Sequence, residues 1–512
     1  MISFDDRHGP EDAAPASAYP DLTVPDWYRD AKFGIFIHWG LFSVPGWADV
    51  LDRSDVTEDN AYARHQYAEW YANTVRIEGS PTRERHLKLF GEDHDYEDFA
   101  DSWEPIRSSP AAMVQLARKA GAKYLVPTSK HHDGFCLWDS QTTDFTAAHH
   151  KPGRDLIAKL EEAARAAGLR FGLYYSGALD WHESDFGPIT SHEELFSFRR
   201  NDEEFAAFAA AQLRELIDRF SPDILWNDID WPDAGKHDGP NSLQQIFREY
   251  LQKVPGGMVN DRWGVPVHGV ATREYQDIDS VQDEVFEATR GLGLSFGFNH
   301  DESAEHALTG AEVIRLLVDV VSKNGNLLLN IGPRADGTIP ELQTLALEEL
   351  GAWINEYGEA IYATRPWMHE AVRTPPEGVR FTRGTDGTGQ EQLHVLLLDP
   401  EAGEVRLSAE VSAAIRELAE VPERGEKKGA AGGASDGTDE AAGSVGPGER
   451  EDADRADDAR SVPDGPDRDD DDDQQEEPAA AHVDGDRVVL TPGDASDPVA
   501  VVTLPVRSGP LA

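Results

Sequence analysis

The sequence predicts an α/β chain built on a (β/α)8-like barrel and followed by a small antiparallel β-sandwich. Short apolar runs alternate with amphipathic helix patterns over most of the first 365 residues, which implies parallel pairing. Polar or aromatic residues follow nearly every apolar run: His38, His131, Tyr174, Asp228, Arg262, Phe296 and Asn330. A barrel gathers all of its strand ends at one mouth, whereas an open doubly wound sheet gathers only those at its switch point. No Gly-x-Gly-x-x-Gly follows the first apolar run, which further disfavours a dinucleotide-binding sheet.

The elements follow in order. Residues 1–24 are polar and carry Pro10, Pro15 and Pro20, so they read as an extended arm. Lys32 to Gly40 is a first strand that ends abruptly in His38-Trp39-Gly40. Residues 41–100 show few clear elements, and so long a segment after one strand reads as loops over a site. Ala111 to Ala120 is a helix closed by Gly121, and Lys123 to Thr128 is a strand ending in His131-His132-Asp133. Arg154 to Ala167 is a helix and Arg170 to Gly177 a strand. A long helix over 202–220 leads to Pro222-Asp223-Ile224-Leu225-Trp226-Asn227-Asp228, whose apolar run stops at a polar pair. A helix over 242–253 precedes a strand at Gly257 to Trp263. Residues 265–290 are irregular, and Leu294 to Asn299 is read as another short strand. A helix at Ala311 to Ser322, a strand at Gly325 to Pro333 and a helix from Ile339 to Tyr357 complete the barrel, over about 25–365. It is expected to be irregular around strands five to seven.

From about residue 370 to 512 the pattern turns to short strands near 378–382, 393–398, 404–407, 487–491 and 499–504, a β domain. It is interrupted at about 422–483 by a Gly-, Ala-, Asp- and Glu-rich insert that cannot bury a core and is expected to be disordered.

The formal charge is −49, from 96 acidic and 47 basic residues. Such a surface repels nucleic acid and anionic membranes, so neither is expected as a partner. Only 12 of the basic residues are Lys, and excess carboxylate with few Lys suggests adaptation to high salt. One cysteine, Cys136, allows no intrachain disulfide. The acidic first residues lack the apolar core of a signal peptide, and no apolar run reaches 18 residues, so a cytoplasmic protein is expected.

The chemistry concentrates at the expected strand ends. His131 and His132 can both reach a ligand there, but no His-x-His pair or cysteine set accompanies them, so no metal or other cofactor is expected. Trp39, Trp70, Trp138, Trp181, Trp226, Trp231 and Trp263 lie at or beyond strand ends. Flat apolar faces beside His, Arg, Asp and Glu suit a sugar, which has C–H faces and hydroxyl edges. Glycoside cleavage needs two carboxyl groups flanking the anomeric carbon. Asp228 is the first candidate; Glu69, Glu274, Glu284 and Glu287 are candidates for the second, and spacing does not choose among them.

Phe33-Gly34-Ile35-Phe36-Ile37-His38-Trp39-Gly40, Glu69-Trp70-Tyr71, Lys130-His131-His132-Asp133-Gly134-Phe135, Tyr174-Tyr175-Ser176-Gly177, Leu225-Trp226-Asn227-Asp228 and Asn326 to Pro333 occur in this order. Together they resemble the α-L-fucosidases of glycoside hydrolase family 29. The resemblance implies a retaining exo-hydrolase that releases terminal α-L-fucose from fucosylated carbohydrates by double displacement. It implies that Asp228 is the nucleophile and that His38, Glu69, Trp70, His131, His132, Tyr174, Trp226, Arg262 and Phe296 hold the sugar. The family's acid/base falls in a variable segment, where Glu274 fits best and Glu287 is held in reserve. Retention implies carboxyls about 5–5.5 Å apart. A fucose-binding protein without catalysis, or a hydrolase for α-L-galactosides, is the alternative.

Overall fold

Eight parallel strands curl into one sheet in the computed structural model, which describes residues 13–51, 56–57, 60–424 and 478–507. They are β1 (Phe33–Ile37), β2 (Tyr124–Lys130), β3 (Arg170–Ser176), β4 (Ile224–Asp228), β5 (Met258–Val259), β6 (Ala271–Glu274), β7 (Phe286–Gly291) and β8 (Gly325–Ile331). Their order is β5-β4-β3-β2-β1-β8-β7-β6. The two edge strands do not share a ladder, but the N–H groups of Gly269 and Val270, just before β6, both donate to the Val259 carbonyl of β5 at 3.1 Å. That seam closes the sheet into a barrel.

Alternate residues along the strands bury into two different shells. Phe36, Tyr124, Val126, Tyr174, Ile224 and Trp226 pack inside the barrel, while Ile35, Ile37, Leu125, Phe171, Leu173 and Leu225 pack outward under the helices. Period-two side chains covered on both faces explain why the strands read as continuous apolar runs. Gly34 faces inward, where a Cβ would lie 2.3 Å from the Tyr124 ring, so only glycine admits that tyrosine.

Helices Ser109–Lys119, Leu156–Ala166, Glu203–Phe220, Leu243–Lys253, Gly310–Ser322 and Glu341–Tyr357 cover the outside. Their starts are written in sequence. Asp155, Asp202 and Ser242 each accept a backbone N–H three residues on, and Thr309 with Glu312 forms a reciprocal capping box.

The expected irregularity lies on the β5–β7 side. The strand expected over 257–263 shortens to two residues, and the expected strand at Leu294–Asn299 is a loop. The sixth and seventh strands instead occupy 271–274 and 286–291, inside the stretch expected to be irregular. Neither has a crossover helix before it, so the helix period that betrays a βα unit is missing there. Of the extended arm expected over 1–24, residues 1–12 lie outside the described residues and 13–24 lie against the barrel: Ala14 N–H donates to the Lys236 carbonyl and Tyr19 packs on Phe247 at 6.2 Å.

Two antiparallel sheets follow the barrel. One holds Arg365–Pro366, Val379–Thr385, Glu391–Leu397 and Ala500–Pro505; the other holds Val405–Arg406, Ala480–Asp484 and Arg487–Thr491. The helix Ala409–Leu418, absent from the sequence expectation, places Val411, Ile415 and Leu418 in their shared core. Its i, i+4, i+7 apolar spacing was the available signal. Of the insert expected at 422–483, residues 425–477 lie outside the described residues, and its last residues belong to the Ala480–Asp484 strand. Trp353 and Tyr357 tie the barrel to this domain by bonds to the Val499 carbonyl (3.0 Å) and Asp497 (2.7 Å).

Candidate active site

The carboxyl ends of β1 to β4 deliver His38, His131 with His132, Tyr174 and Asp228 to one mouth, and a cavity of about 300 Å3 opens there. Eleven of the twelve site residues expected from the sequence line it: those four strand ends' side chains together with Glu69, Trp70, Trp226, Arg262, Glu274 and Phe296.

Asp228 is held from every side. Its Oδ1 accepts from Arg262 Nη1 at 2.9 Å and from the Ile229 N–H at 3.0 Å, and its Oδ2 accepts from Tyr174 Oη at 3.0 Å. Burial alone would raise its pKa. The charge of the Arg262 guanidinium, with the bonds from Arg262 and Tyr174, outweighs burial and holds the carboxyl below the usual carboxylate range. The backbone beyond it turns sharply, with φ of 51° at Ile229 and 76° at Asp230. A β-branched residue in that region costs on the order of 1–3 kcal/mol. The turn persists because its surroundings fix it. Asn227 Nδ2 donates to the carbonyls of Asp230 and Arg262, and Asn227 and Asn260 exchange two more bonds. Asp230 itself is pinned by Lys236 at 2.8 Å and Arg199 at 3.1 Å. Gly264, at φ 64°, leaves the space; a Cβ there would meet Asp230 Oδ1 at 1.7 Å.

Arg262 joins the two carboxylates. Its Nη2 donates to Glu274 Oε2 at 2.7 Å while Nη1 holds Asp228, and its Nε donates to Thr272 at 3.0 Å. The guanidinium lies over the Trp226 ring at 4.9 Å. Its fork and its stacking together set one plane that fixes both carboxylates. Glu274 Oε1 accepts from Tyr67 Oη at 3.2 Å.

The imidazoles sort by tautomer. Asn330 Nδ2 donates to the Phe296 carbonyl, so its Oδ1 accepts from His38 Nδ1 at 2.7 Å. Ser176 Oγ donates to the Leu179 carbonyl, so it accepts from His132 Nδ1 at 2.7 Å. Both rings therefore carry their proton on Nδ1, assigned from the network, and both offer a bare Nε2 as acceptor. Burial keeps both neutral, pushed down to about 4. His131 is also kept neutral by burial, and its Nδ1 is buried with no hydrogen-bond partner among the described residues. Glu69 accepts from Gly297 N–H at 2.7 Å and Ser295 Oγ at 3.1 Å. Among the described residues no cation pairs with it, and burial pushes it up to about 7. Phe36, Tyr174, Trp226 and Phe296 close the floor, with Phe36 4.9 Å from Trp226 and 6.4 Å from Phe296. Such a pocket offers hydroxyl acceptors on one side and an apolar face on the other.

The family model described as alpha-L-fucosidase matches residues 13–359. The chain belongs to the α-L-fucosidase family. It is 32% identical over 354 residues to the tissue alpha-L-fucosidase of Homo sapiens, covering 67% of this chain and 70% of the relative. It is 31% identical over 355 residues to an alpha-L-fucosidase of Dictyostelium discoideum, covering 67% and 72%. A crystal structure of Thermotoga maritima alpha-fucosidase in complex with fucose superposes with a TM-score of 0.72 at 36% identity, covering 94% of this chain and 97% of that one. This fucosidase is thus a glycoside hydrolase of family 29 acting to release fucose, on a barrel with a C-terminal β domain.

One sequence candidate is corrected. Glu287 does not reach the cavity. It sits one layer below, inside the barrel, where Tyr28 Oη (2.5 Å), Tyr124 Oη (2.9 Å) and Trp226 Nε1 (2.8 Å) all donate to it. β7 ends at Gly291, four residues past Glu287, so this side chain points into the interior rather than over the rim. Glu284 is exposed and also lies away from the cavity. The cavity residues that sequence reasoning missed include His65, Tyr67 and Tyr275 on loops and Arg290 on β7. Tyr67 and Tyr275 each adjoin a named motif, the available signal; nothing in the local pattern marks His65 or Arg290. Among the described residues no group of three or more His, Cys, Asp or Glu is arranged to hold a metal ion.

Proposed function

We propose that the chain is a retaining exo-α-L-fucosidase in which Asp228 is the nucleophile and Glu274 the acid/base. The observation that carries this reading is the Arg262 guanidinium bonded at once to Asp228 and Glu274 at the cavity. It keeps Asp228 ionised and holds the second carboxylate beside it, as a double displacement requires. The floor of Phe36 and Trp226 closes the pocket below, so a terminal sugar enters and a chain interior does not.

In the first step Asp228 forms a bond to the anomeric carbon as the bond to the leaving oxygen breaks, and Glu274 gives that oxygen its proton. Glu274 Oε2 is tied to Arg262, which leaves Oε1, with its longer contact to Tyr67, to exchange the proton. In the second step water attacks the fucosyl-enzyme, Glu274 takes the water's proton, and Asp228 is released. His38 and His132 accept sugar hydroxyl protons through Nε2, and the apolar floor and Phe296 meet the methyl group. The pairing of buried polar groups with hydroxyls gives sharper selection than apolar shape alone.

The test is stereochemical. The first-formed product, followed by proton NMR, should be α-L-fucose, and a 2-fluoro-fucosyl fluoride should label the peptide carrying Asp228. In Glu274→Ala, azide should restore turnover of an activated fucoside and yield the α-fucosyl azide. First-formed β-fucose would sink the double displacement, and azide rescue giving only the β-azide would remove Glu274 from its role.

A further inference from the structure

Three neutral imidazoles with settled tautomers line this cavity, and one is reversed. His38 and His132 keep their proton on Nδ1 and offer Nε2 as acceptor. In His65 the Nδ1 accepts the Tyr67 backbone N–H at 3.1 Å, so the proton sits on Nε2. His65 is therefore a hydrogen-bond donor to the cavity where the other two are acceptors. Its ring is fixed: it stacks on Trp70 at 4.7 Å with 4° between the planes. Burial, with a contribution from His132, pushes it down to about 3, so it stays a neutral donor across the acid-to-neutral range.

Its place in the cavity decides what it can meet. His38, Glu69, His131 and His132 are buried at the bottom, whereas Arg64, His65 and Gln66 are only half-buried and line the cavity nearer its opening. Arg64 is anchored by Asp49 at 2.6 Å and Gln66 by the Leu51 carbonyl. Two residues further, Tyr67 touches Glu274 at 3.2 Å. The loop that carries His65 thus stands beside the group that protonates the leaving oxygen, outside the part of the cavity that encloses the terminal sugar.

We propose that residues 64–66 form a subsite for a saccharide leaving group, with the His65 Nε2–H, held by the Trp70 stack, donating to an oxygen of that sugar. This rests on the reading of Glu274 as the acid/base. A leaving group with hydroxyls and a ring oxygen uses such a donor; an aryl leaving group presents nothing for it to bond. His65 therefore favours natural oligosaccharides over aryl fucosides.

Two substitutions test it. His65→Asn keeps an acceptor near the Nδ1 position for the Tyr67 N–H but withdraws the donor. His65→Gln can return an N–H near the place of Nε2. The readout is the ratio of kcat/KM for 2′-fucosyllactose to kcat/KM for 4-nitrophenyl α-L-fucoside. In His65→Asn this ratio should fall about fivefold or more, the worth of one hydrogen bond, and in His65→Gln it should recover in part. The inhibition constant of free fucose, which occupies only the inner pocket, reports whether that pocket survives. An unchanged ratio in His65→Asn overturns the proposal, as does an equal loss on both substrates or a weakened fucose constant, which would place His65 on the fucose itself. Failure of the acid/base reading shows separately, in the azide products of Glu274→Ala.

Discussion

Two carboxylates lie in adjoining layers of the barrel, the half-buried Asp228 above Trp226 and the buried Glu287 below it. Asp228 lies above, at the cavity; its partner Tyr174 stacks on Trp226 at 5.5 Å, and Arg262 lies over the same ring. Glu287 lies below, bonded to the indole N–H. Both accept three hydrogen bonds or more. The difference is the donor's charge. Asp228 has a guanidinium among its partners and is held below the usual carboxylate range. Among the described residues Glu287 has only tyrosine hydroxyls and an indole as donors, and burial raises it. Neutral donors satisfy a buried carboxyl without keeping it ionised; a permanent cation does both. Glu69 makes the same point from a third position. It lines the cavity but has no cation partner among the described residues, and burial pushes it up to about 7. Of the three, only Asp228 is prepared as an anion for attack.

Breaking this contrast at its cation should have the largest effect. Arg262→Met turns the surroundings of Asp228 into those of Glu287, and kcat/KM should fall on the order of 100- to 1000-fold, as for loss of one preorganised charged donor. The sign of the pH effect follows. Asp228 must be ionised to attack, and without Arg262 burial raises its carboxyl. The acid limb of kcat/KM should therefore move to higher pH. A variant with an unmoved acid limb would show that the cation does not set the charge of Asp228. Arg262→Lys restores charge but not the fork, so it should fall between the two.

A smaller effect is expected at Glu69, which is protonated below about 7 and ionised above it. A carboxylate is the stronger acceptor for a sugar hydroxyl. The inhibition constant of fucose should tighten roughly three- to tenfold as pH rises through that value. Glu69→Gln should flatten the profile; a break that survives in this variant belongs to another group.

The smallest effect should come from Glu287→Gln. A neutral isostere replaces a carboxyl that burial already favours neutral, so urea unfolding should shift by no more than about 1 kcal/mol. A loss several times larger would mean that Glu287 works as an anion in the barrel floor, and the contrast with Asp228 would collapse.

The same pair shows how far the sequence could be read. Asp228 was legible because it ends an apolar run, where the change from buried to polar is local. Glu287 was plausible only because it is a Glu near the right motif. Its exclusion depends on Tyr28, 259 residues away, and Trp226, 61 residues away. Spacing leaves Glu274 one candidate among four and only the family resemblance favours it; its bond to Arg262 appears once β5 and β6 meet at the seam. The strands with helices before them were recognised nearly in full. Those at 271–274 and 286–291 were not, because no helix period announces them.

What the sequence determined by itself follows from periodicity and punctuation. It specified the barrel and the six helices that cover it, most strands of the β domain and the strand-end residues that line the cavity, because each depends on neighbours in the chain. Only the tertiary structure decided which imidazoles donate and which accept, and which carboxylate carries a cation. It also decided which glutamate lies in the wall and which in the floor. Those properties are set by partners tens to hundreds of residues apart, and no local pattern encodes a hydrogen bond across the barrel.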